Sequence, residues 1–169
     1  MRPRTVPAMR HDRLDPTDVR ILAAVQKEGR LSKTALAARV NLSPSPCWTR
    51  LRRLEQSGLI RAYRAEIALE RIARFASILV EVTLKQHRYE DFQRFETAIA
   101  GEEAVVECYA IGGGIDYLLK VIVPDIDAYQ ALIDGLLQRR IGIDRYFTYV
   151  VTRTVKRGHQ PPVGLVARS

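Results

Sequence analysis

Residues 31–60 restrict the possible folds of this chain more than any other stretch. They hold two short helix patterns with a tight polar turn between them, the second pattern rich in arginine. Ser32 is a good N-cap, and Leu31 before it pairs with Leu36 after it as a hydrophobic staple. The small apolar positions Ala35, Leu36, Ala38 and Val40 suit a short, closely packed helix. Asn41 tolerates the left-handed backbone that ends such a helix. The second helix is expected to open on Ser45 as N-cap, with Pro46 at the first helical position, where a missing N–H costs nothing. At ~100° per residue, Cys47, Leu51 and Leu54 share one face while Thr49, Arg52 and Gln56 point the opposite way, flanked by Trp48 and Arg53. A short helix that is apolar behind and hydrogen-bonding in front is what a DNA major groove admits. The pair reads as a helix-turn-helix.

Charge supports that reading once it is divided. Residues 1–75 carry 16 Lys/Arg against 7 Asp/Glu, whereas residues 76–169 carry 11 against 12. The excess of +8 therefore belongs to the half with the helix-turn-helix, as phosphate contact requires. Apolar residues make up 47% of the chain, enough for real cores, yet no run approaches the ~20 apolar residues of a membrane span. The N-terminus (Arg2, Pro3, Arg4, Pro7) lacks the apolar segment of a secretory signal. Cys47 and Cys108 lie far apart in apolar patterns, so two buried free thiols are expected, with no disulfide or metal site. These features point to a cytoplasmic, nucleoid-associated protein.

A third helix precedes the motif, with Asp15 as N-cap, Pro16 in first position, Asp18 at the positive helix start and Gly29 as the stop. Residues 59–67 alternate partially and read as a strand or a wing leading out of the domain. Residues 68–75 look like a linker in which Leu69 and Ile72 allow a helical turn. From residue 76 the pattern changes. Ile78, Val80, Val82 and Leu84 alternate as a strand, and Phe92, Phe95 and Ile99 recur at helical spacing up to Gly101. Val105–Ile111 and Tyr117–Val123 are further strands. Asp125 caps a helix with Ile126, Tyr129, Leu132, Ile133 and Leu136 inward, and Ile143–Thr154 is the last strand. The order is βαββαβ. The sequence thus predicts an α+β chain: a winged helix-turn-helix domain with a linker strand at 14–75, and a ferredoxin-like domain at 76–154. Flexible tails are expected at 1–13 and 155–169.

The run Leu42, Ser43, Pro44, Ser45, Pro46, Cys47, followed by Arg50, Leu51, Arg53, Leu54, Glu55, Gly58, Leu59 and Ile60, resembles the recognition-helix signature of the Lrp/AsnC family of bacterial and archaeal regulators. Leu14, Asp15, Asp18, Ile21 and Leu22 resemble its opening helix. Gly112, Asp116, Tyr117, Leu118, Leu119 and Lys120 resemble the glycine–aspartate loop and following strand of its effector domain. The resemblance covers residues 14–154. It implies a transcription factor whose dimers assemble, through the C-terminal domain, into octamers or other closed rings. It also implies a small effector, commonly an amino acid, bound between subunits. Gly142–Phe147 is similar to a subgroup near genes for degrading ectoine or related amino compounds. Trp48 departs from the smaller residue that many members carry there.

The expected DNA contacts are Lys33, Ser43, Ser45, Trp48, Thr49, Arg50, Arg52 and Arg53. Serine hydroxyls and N–H groups at a helix start suit phosphates. Thr49 and Arg52, at the helix centre, are best placed for base edges, where a bidentate arginine–guanine pair is worth ~1–3 kcal/mol of discrimination. Arg50 lies nearer the core face, within reach of Glu55 or a phosphate. The glycines Gly112, Gly113 and Gly114 precede a strand, not the helix start that a phosphate loop needs. They make either a tight turn or a loop that lets a ligand come close. In the second reading the Gly113 and Gly114 N–H groups hold a carboxylate, and Asp116 holds an ammonium group or stabilises the turn. With Tyr117, these residues form the expected effector site, and no cofactor beyond that effector is expected.

His11, His87 and His159 are scattered, no Ser or Cys has an evident base partner, and no metal-ligand spacing appears, which argues against an enzyme. A βαββαβ sheet has helices on one face only, and here Leu118–Val123 and Tyr146–Val151 are apolar on both sides. A second subunit is expected to cover that patch, giving a two-fold homodimer on a pseudo-palindromic duplex. Two competitors are a ligand-independent architectural DNA-binding protein and an RNA-binding βαββαβ module. The acidic balance of the second half argues against the latter.

Overall fold

The computed structural model describes residues 14–156, 158 and 163. The chain divides into two units with the boundary between Glu66 and Ile67, earlier than the expected 75/76, so the linker residues 68–75 group with the second unit. Gly158 and Val163 belong with the first.

The first unit is three helices around one small core. Helix α1 (Pro16–Lys27) starts where expected: the Asp15 carboxylate accepts the Asp18 N–H at 2.8 Å, and Asp18 accepts the Asp15 N–H at 3.2 Å, a reciprocal capping box. Helix α2 (Lys33–Arg39) opens on Ser32, whose hydroxyl accepts the Ala35 N–H. It closes through Asn41 at φ 55°, the left-handed end foreseen. Helix α3 (Pro44–Gln56) begins two residues earlier than expected, with Ser43 as N-cap and Pro44 in first position. Two Ser–Pro pairs stand in succession, and each makes an equally good start. The helical phase is unaffected, because Cys47, Leu51 and Leu54 still face inward onto Ile21, Leu22, Leu36, Ala37 and Val40.

Residues 61–68 form no strand. Their alternation was partial, and the described residues of the first unit include no strand to pair with them. Tyr63 instead folds back, donating to Glu55 Oε1 at 2.8 Å. Burial together with that carboxylate pushes the phenol up to about 12. A 3-10 turn at Leu69–Arg71 takes the place allowed for a helical turn.

The second unit is a four-stranded antiparallel sheet with two helices. Strands β1 (Ala76–Leu84), β2 (Val105–Ala110), β3 (Tyr117–Val123) and β4 (Ile143–Val150) are joined by helices α4 (Tyr89–Ala100) and α5 (Ile126–Gln138). The order across the sheet is β2-β3-β1-β4, the ferredoxin-like arrangement. Ile78, Val80, Val82, Leu84, Tyr117, Leu119, Val121 and Val123 line the covered face and meet Phe95, Ile99, Tyr129, Ile133 and Leu136 from the helices. Ile126, expected inward, is exposed at the first turn of α5. β4 ends at Val150, short of Thr154.

The other sheet face is open. Register places Tyr109 beside Leu118, and Leu79 beside both Lys120 and Tyr149, with Phe147 beside Glu81. Tyr109, Phe147 and Tyr149 are exposed there. The tail expected at 1–13 lies outside the described residues, as does most of that at 155–169. Within the latter, however, Val163 packs on the core of the first unit, and its N–H donates to Gln26 Oε1 at 3.0 Å. That residue is not part of a free tail.

Candidate nucleic-acid interface and effector loop

The outward side of α3 carries Ser45, Thr49 and Arg52 in exposed positions, above the buried row Cys47, Leu51 and Leu54. Ser43 is exposed at the N-cap, and its side chain makes no capping bond. The Thr49 hydroxyl donates to the Ser45 carbonyl at 3.2 Å, within its own helix. Ser45, Pro46, Thr49, Arg50 and Arg53 line, with Asp15, an open cleft of about 520 Å³ beside the start of α1. Trp48 is half-buried against the core. Exposed Lys33, at the first position of α2, places its Nζ 3.8 Å from the centre of the Trp48 ring.

Arg50 and Arg53 depart from expectation. Arg50 does not meet Glu55. Its Nη1 lies 2.5 Å from Asp15 Oδ2 and 2.9 Å from Asp18 Oδ1, and Arg53 Nη2 bonds the other Asp18 oxygen. Asp18 is the buried charged residue among the described residues of this unit, 1% exposed, and a carboxylate taken from water needs such partners. The Asp18 N–H, and then Arg50, hold the Asp15 carboxyl below its usual range. Asp15 and Asp18 in turn raise the Arg50 guanidinium. The two arginines are therefore tied to the start of α1. The signal was present in the matching spacing: two carboxylates three apart at the cap and first turn of α1, and two arginines three apart in α3.

In the second unit, Gly112, Gly113 and Gly114 form an exposed loop between β2 and β3, closed by Ile111 N–H to the Asp116 carbonyl at 2.8 Å. Gly113 has φ 150°, outside the range that side chains favour. A Cβ at Gly112 or Gly114 would meet nothing within 4 Å, so packing within this chain does not demand glycine there. Asp116 is turned toward the fold: its carboxylate accepts the Leu84 N–H at 2.7 Å and lies 3.0 Å from His87 Nε2. The carboxylate thus ties Asp116 to the end of β1 and to His87, while the glycine turn is closed by the Asp116 backbone carbonyl.

Tyr117 does not face the loop. It is buried under Phe95, with ring centres 4.4 Å apart, and donates to Glu96 Oε1 at 2.9 Å. Strand alternation sends it inward beside Leu119, and desolvation pushes its phenol well above the usual range. Cys47 is buried as expected, but Cys108 is exposed because β2 is an edge strand. Sequence reasoning also missed a shallow groove of about 410 Å³ between α4 and β2, lined by Glu96, Ile99, Val105, Cys108 and Tyr117. Among the described residues no cluster of His, Cys, Asp and Glu is arranged to hold a metal, and no helix is long and apolar enough to cross a membrane.

Two family models match the chain. A winged helix-turn-helix DNA-binding model covers residues 14–61, and the Lrp/AsnC ligand-binding domain covers residues 77–161. The transcriptional regulatory protein DoeX of Halomonas elongata is 46% identical over 145 residues, spanning 86% of this chain and 92% of that protein. The leucine-responsive regulatory protein of Escherichia coli K12 is 40% identical over 147 residues, 87% of this chain and 90% of the relative. Among solved structures, a Neisseria meningitidis transcriptional regulator in complex with L-methionine superposes with a TM-score of 0.84 at 29% identity, covering 91% of this chain and 99% of that one. An AsnC family transcriptional regulator from Agrobacterium tumefaciens gives a TM-score of 0.84 at 30% identity, covering 90% and 99%.

Proposed function

This chain belongs to the Lrp/AsnC family of transcriptional regulators, and on that premise we propose that it reads a pseudo-palindromic duplex operator as a homodimer, or a higher ring such as an octamer, under the control of an amino acid or related amino compound. It is a regulator with a DNA-binding and a ligand-binding domain, as its relatives are, and not an enzyme. In this reading it acts in the cytoplasm, on the nucleoid, and controls catabolism of the compound it senses. The observation that carries the DNA half is the two-sided α3, with Thr49 and Arg52 outward over buried Cys47, Leu51 and Leu54. A helix so faced presents a fork of donors to base edges while its back stays anchored.

The open sheet face, with exposed Tyr109, Phe147 and Tyr149, supports self-association, because a patch of this kind is covered in a stable assembly. A two-fold pair then brings two copies of α3 to two half-sites. Gly112–Gly114 support the effector half: their exposed backbone and unfilled surroundings leave room for a carboxylate on the N–H groups. The Neisseria regulator was solved with L-methionine, which makes amino acids the first compounds to try. An effector seated where subunits meet alters DNA affinity only through its differential affinity for two subunit arrangements.

Two measurements test the reading. Anisotropy titrations on specific and random duplexes should show Arg52→Ala losing sequence preference more than Arg50→Ala, since Arg50 is committed to Asp15 and Asp18. Equal losses on both duplexes for both variants would reject the assignment. A thermal-shift screen of amino acids and related amines should find a compound that raises the melting temperature. An unresponsive screen, together with DNA wrapping that ignores every metabolite, would favour a ligand-independent architectural role.

A further inference from the structure

Four cations occupy the start of α2 and the α3 surface: Lys33, Arg50, Arg52 and Arg53. The carboxylates of Asp15 and Asp18 engage Arg50 and Arg53. Lys33 and Arg52 have no carboxylate partner among the described residues. Both face one indole: Lys33 Nζ stands 3.8 Å from the centre of the Trp48 ring and Arg52 Cζ stands 5.7 Å from it. A carboxylate cancels a cation, but an aromatic face attracts one through its quadrupole and leaves the charge intact. The pair held by Trp48 is therefore the pair still able to neutralise phosphate.

Lys33 needs such a hold. It lies in the first turn of α2, where the positive helix end repels a cation and no acidic residue offsets it. Arg52 follows Trp48 by one turn of α3, the spacing at which side chains meet on a helix. The ring itself is steadied from beneath by packing against the helix core.

We propose that Trp48 is a positioning residue: its indole holds Lys33 from α2 and Arg52 from α3 as the two uncompensated cations that grip the duplex, Lys33 on a phosphate and Arg52 at a base edge. This inference rests on the DNA-binding reading above, and it gives Trp48 an indirect role in place of the direct contact suggested by the sequence. The motif thereby receives a backbone contact from its first helix that is fixed in register with the base-reading helix.

The test compares Trp48→Phe with Trp48→Leu in the full-length protein, by duplex titration over a range of salt concentrations. Both replacements fill apolar space, but Phe alone keeps an aromatic face. Trp48→Leu should bind about threefold to tenfold more weakly than Trp48→Phe. Its plot of log K against log salt should be shallower by ~0.9, the slope of one lost phosphate contact. In a Lys33→Ala background the gap between the two should shrink, and the slope difference should vanish. Equal affinity and slope for Phe and Leu would overturn the proposal, as would an undiminished gap in the Lys33→Ala background. Should Trp48→Leu fail to fold, Lys33→Gln carries the test, since a slope unchanged from wild type removes the phosphate contact. Failure of the wild-type protein to bind duplex DNA at all would instead refute the reading beneath it.

Discussion

Asp18 offers the sharpest quantitative test of how the DNA-binding unit holds together. Its carboxylate, 1% exposed, takes Arg50 Nη1 at 2.9 Å, a nitrogen of Arg53, and the Asp15 N–H at 3.2 Å. Asp18→Ala removes all three. It strands no buried charge, because the Arg50 and Arg53 side chains are 34% and 57% exposed and regain water. The cost is therefore that of the lost bonds and not the full ~3–5 kcal/mol of a broken buried pair. Two charge-assisted bonds at the low end of ~1.5–3 kcal/mol, discounted for partner exposure, and a damaged cap of ~1 kcal/mol give a loss of ~3 kcal/mol. Asp18→Asn keeps the size and a capping acceptor but loses the charge, so about half of that loss is expected. The chain has one tryptophan, Trp48, and it lies in this unit. Its fluorescence during urea unfolding therefore reports the unit without interference from the sheet domain. A melting temperature lowered by roughly 15 °C accompanies a loss of this size in a small domain. If Asp18→Ala unfolds within ~1 kcal/mol of wild type, the carboxylate is not clamping α1 to α3. If Asn costs as much as Ala, charge is not what matters.

Asp116→Ala removes the acceptor of the Leu84 N–H and the neighbour of His87, so the sheet unit should lose about 1–2 kcal/mol by near-ultraviolet circular dichroism. The same variant should bind DNA normally without effector yet ignore the effector, and a preserved response would exclude this loop as the sensor. Asp15 has its native pKa lowered, first by the Asp18 N–H and then by Arg50, so its stabilising effect is complete above the ordinary value of 3.8 and lost as pH falls through the lower native value. The urea midpoint of wild type should accordingly drop in acid below 3.8, with Asp15→Asn showing a flatter profile, and parallel curves would refute this coupling. Phe147→Asp places a charge on the open sheet face. Sedimentation velocity should then show smaller particles than wild type, and unchanged mass would place the subunit contact elsewhere.

Local signals carried most of the architecture. Asp15–Pro16, Ser32, Asn41 and Asp125 act as written because a cap needs only its own neighbours. Ile78, Val80, Val82 and Leu84 were equally readable, since a period of two admits one buried face. What escaped was decided by partners remote in sequence. Ser43–Pro44 and Ser45–Pro46 are interchangeable as local starts, and only the folded unit chose between them. The pairing of Arg50 and Arg53 with Asp15 and Asp18 crosses more than thirty residues. Residues 59–67 look strand-like, but a strand needs a neighbour and the described residues of the first unit offer none. Tyr117 was assigned to the loop by motif, whereas the alternation of β3 sends it inward. Cys108 shows the limit of apolar patterning at a sheet edge, where half the cover is missing.

The position of β1 at the middle of the sheet has a consequence for biosynthesis. Ala76 must wait for Val123, and Ile78 for Val121 on one side and Val150 on the other, before their cross-strand neighbours exist. The three helices before it assemble from segments close together along the chain and are finished long beforehand. At ~5–20 residues per second on the ribosome, the apolar run Ile78, Val80, Val82 and Leu84 stays unpartnered for seconds after it emerges. The DNA reader is thus born ahead of its sensor, and chaperone capture or aggregation of nascent chains should centre on that one strand.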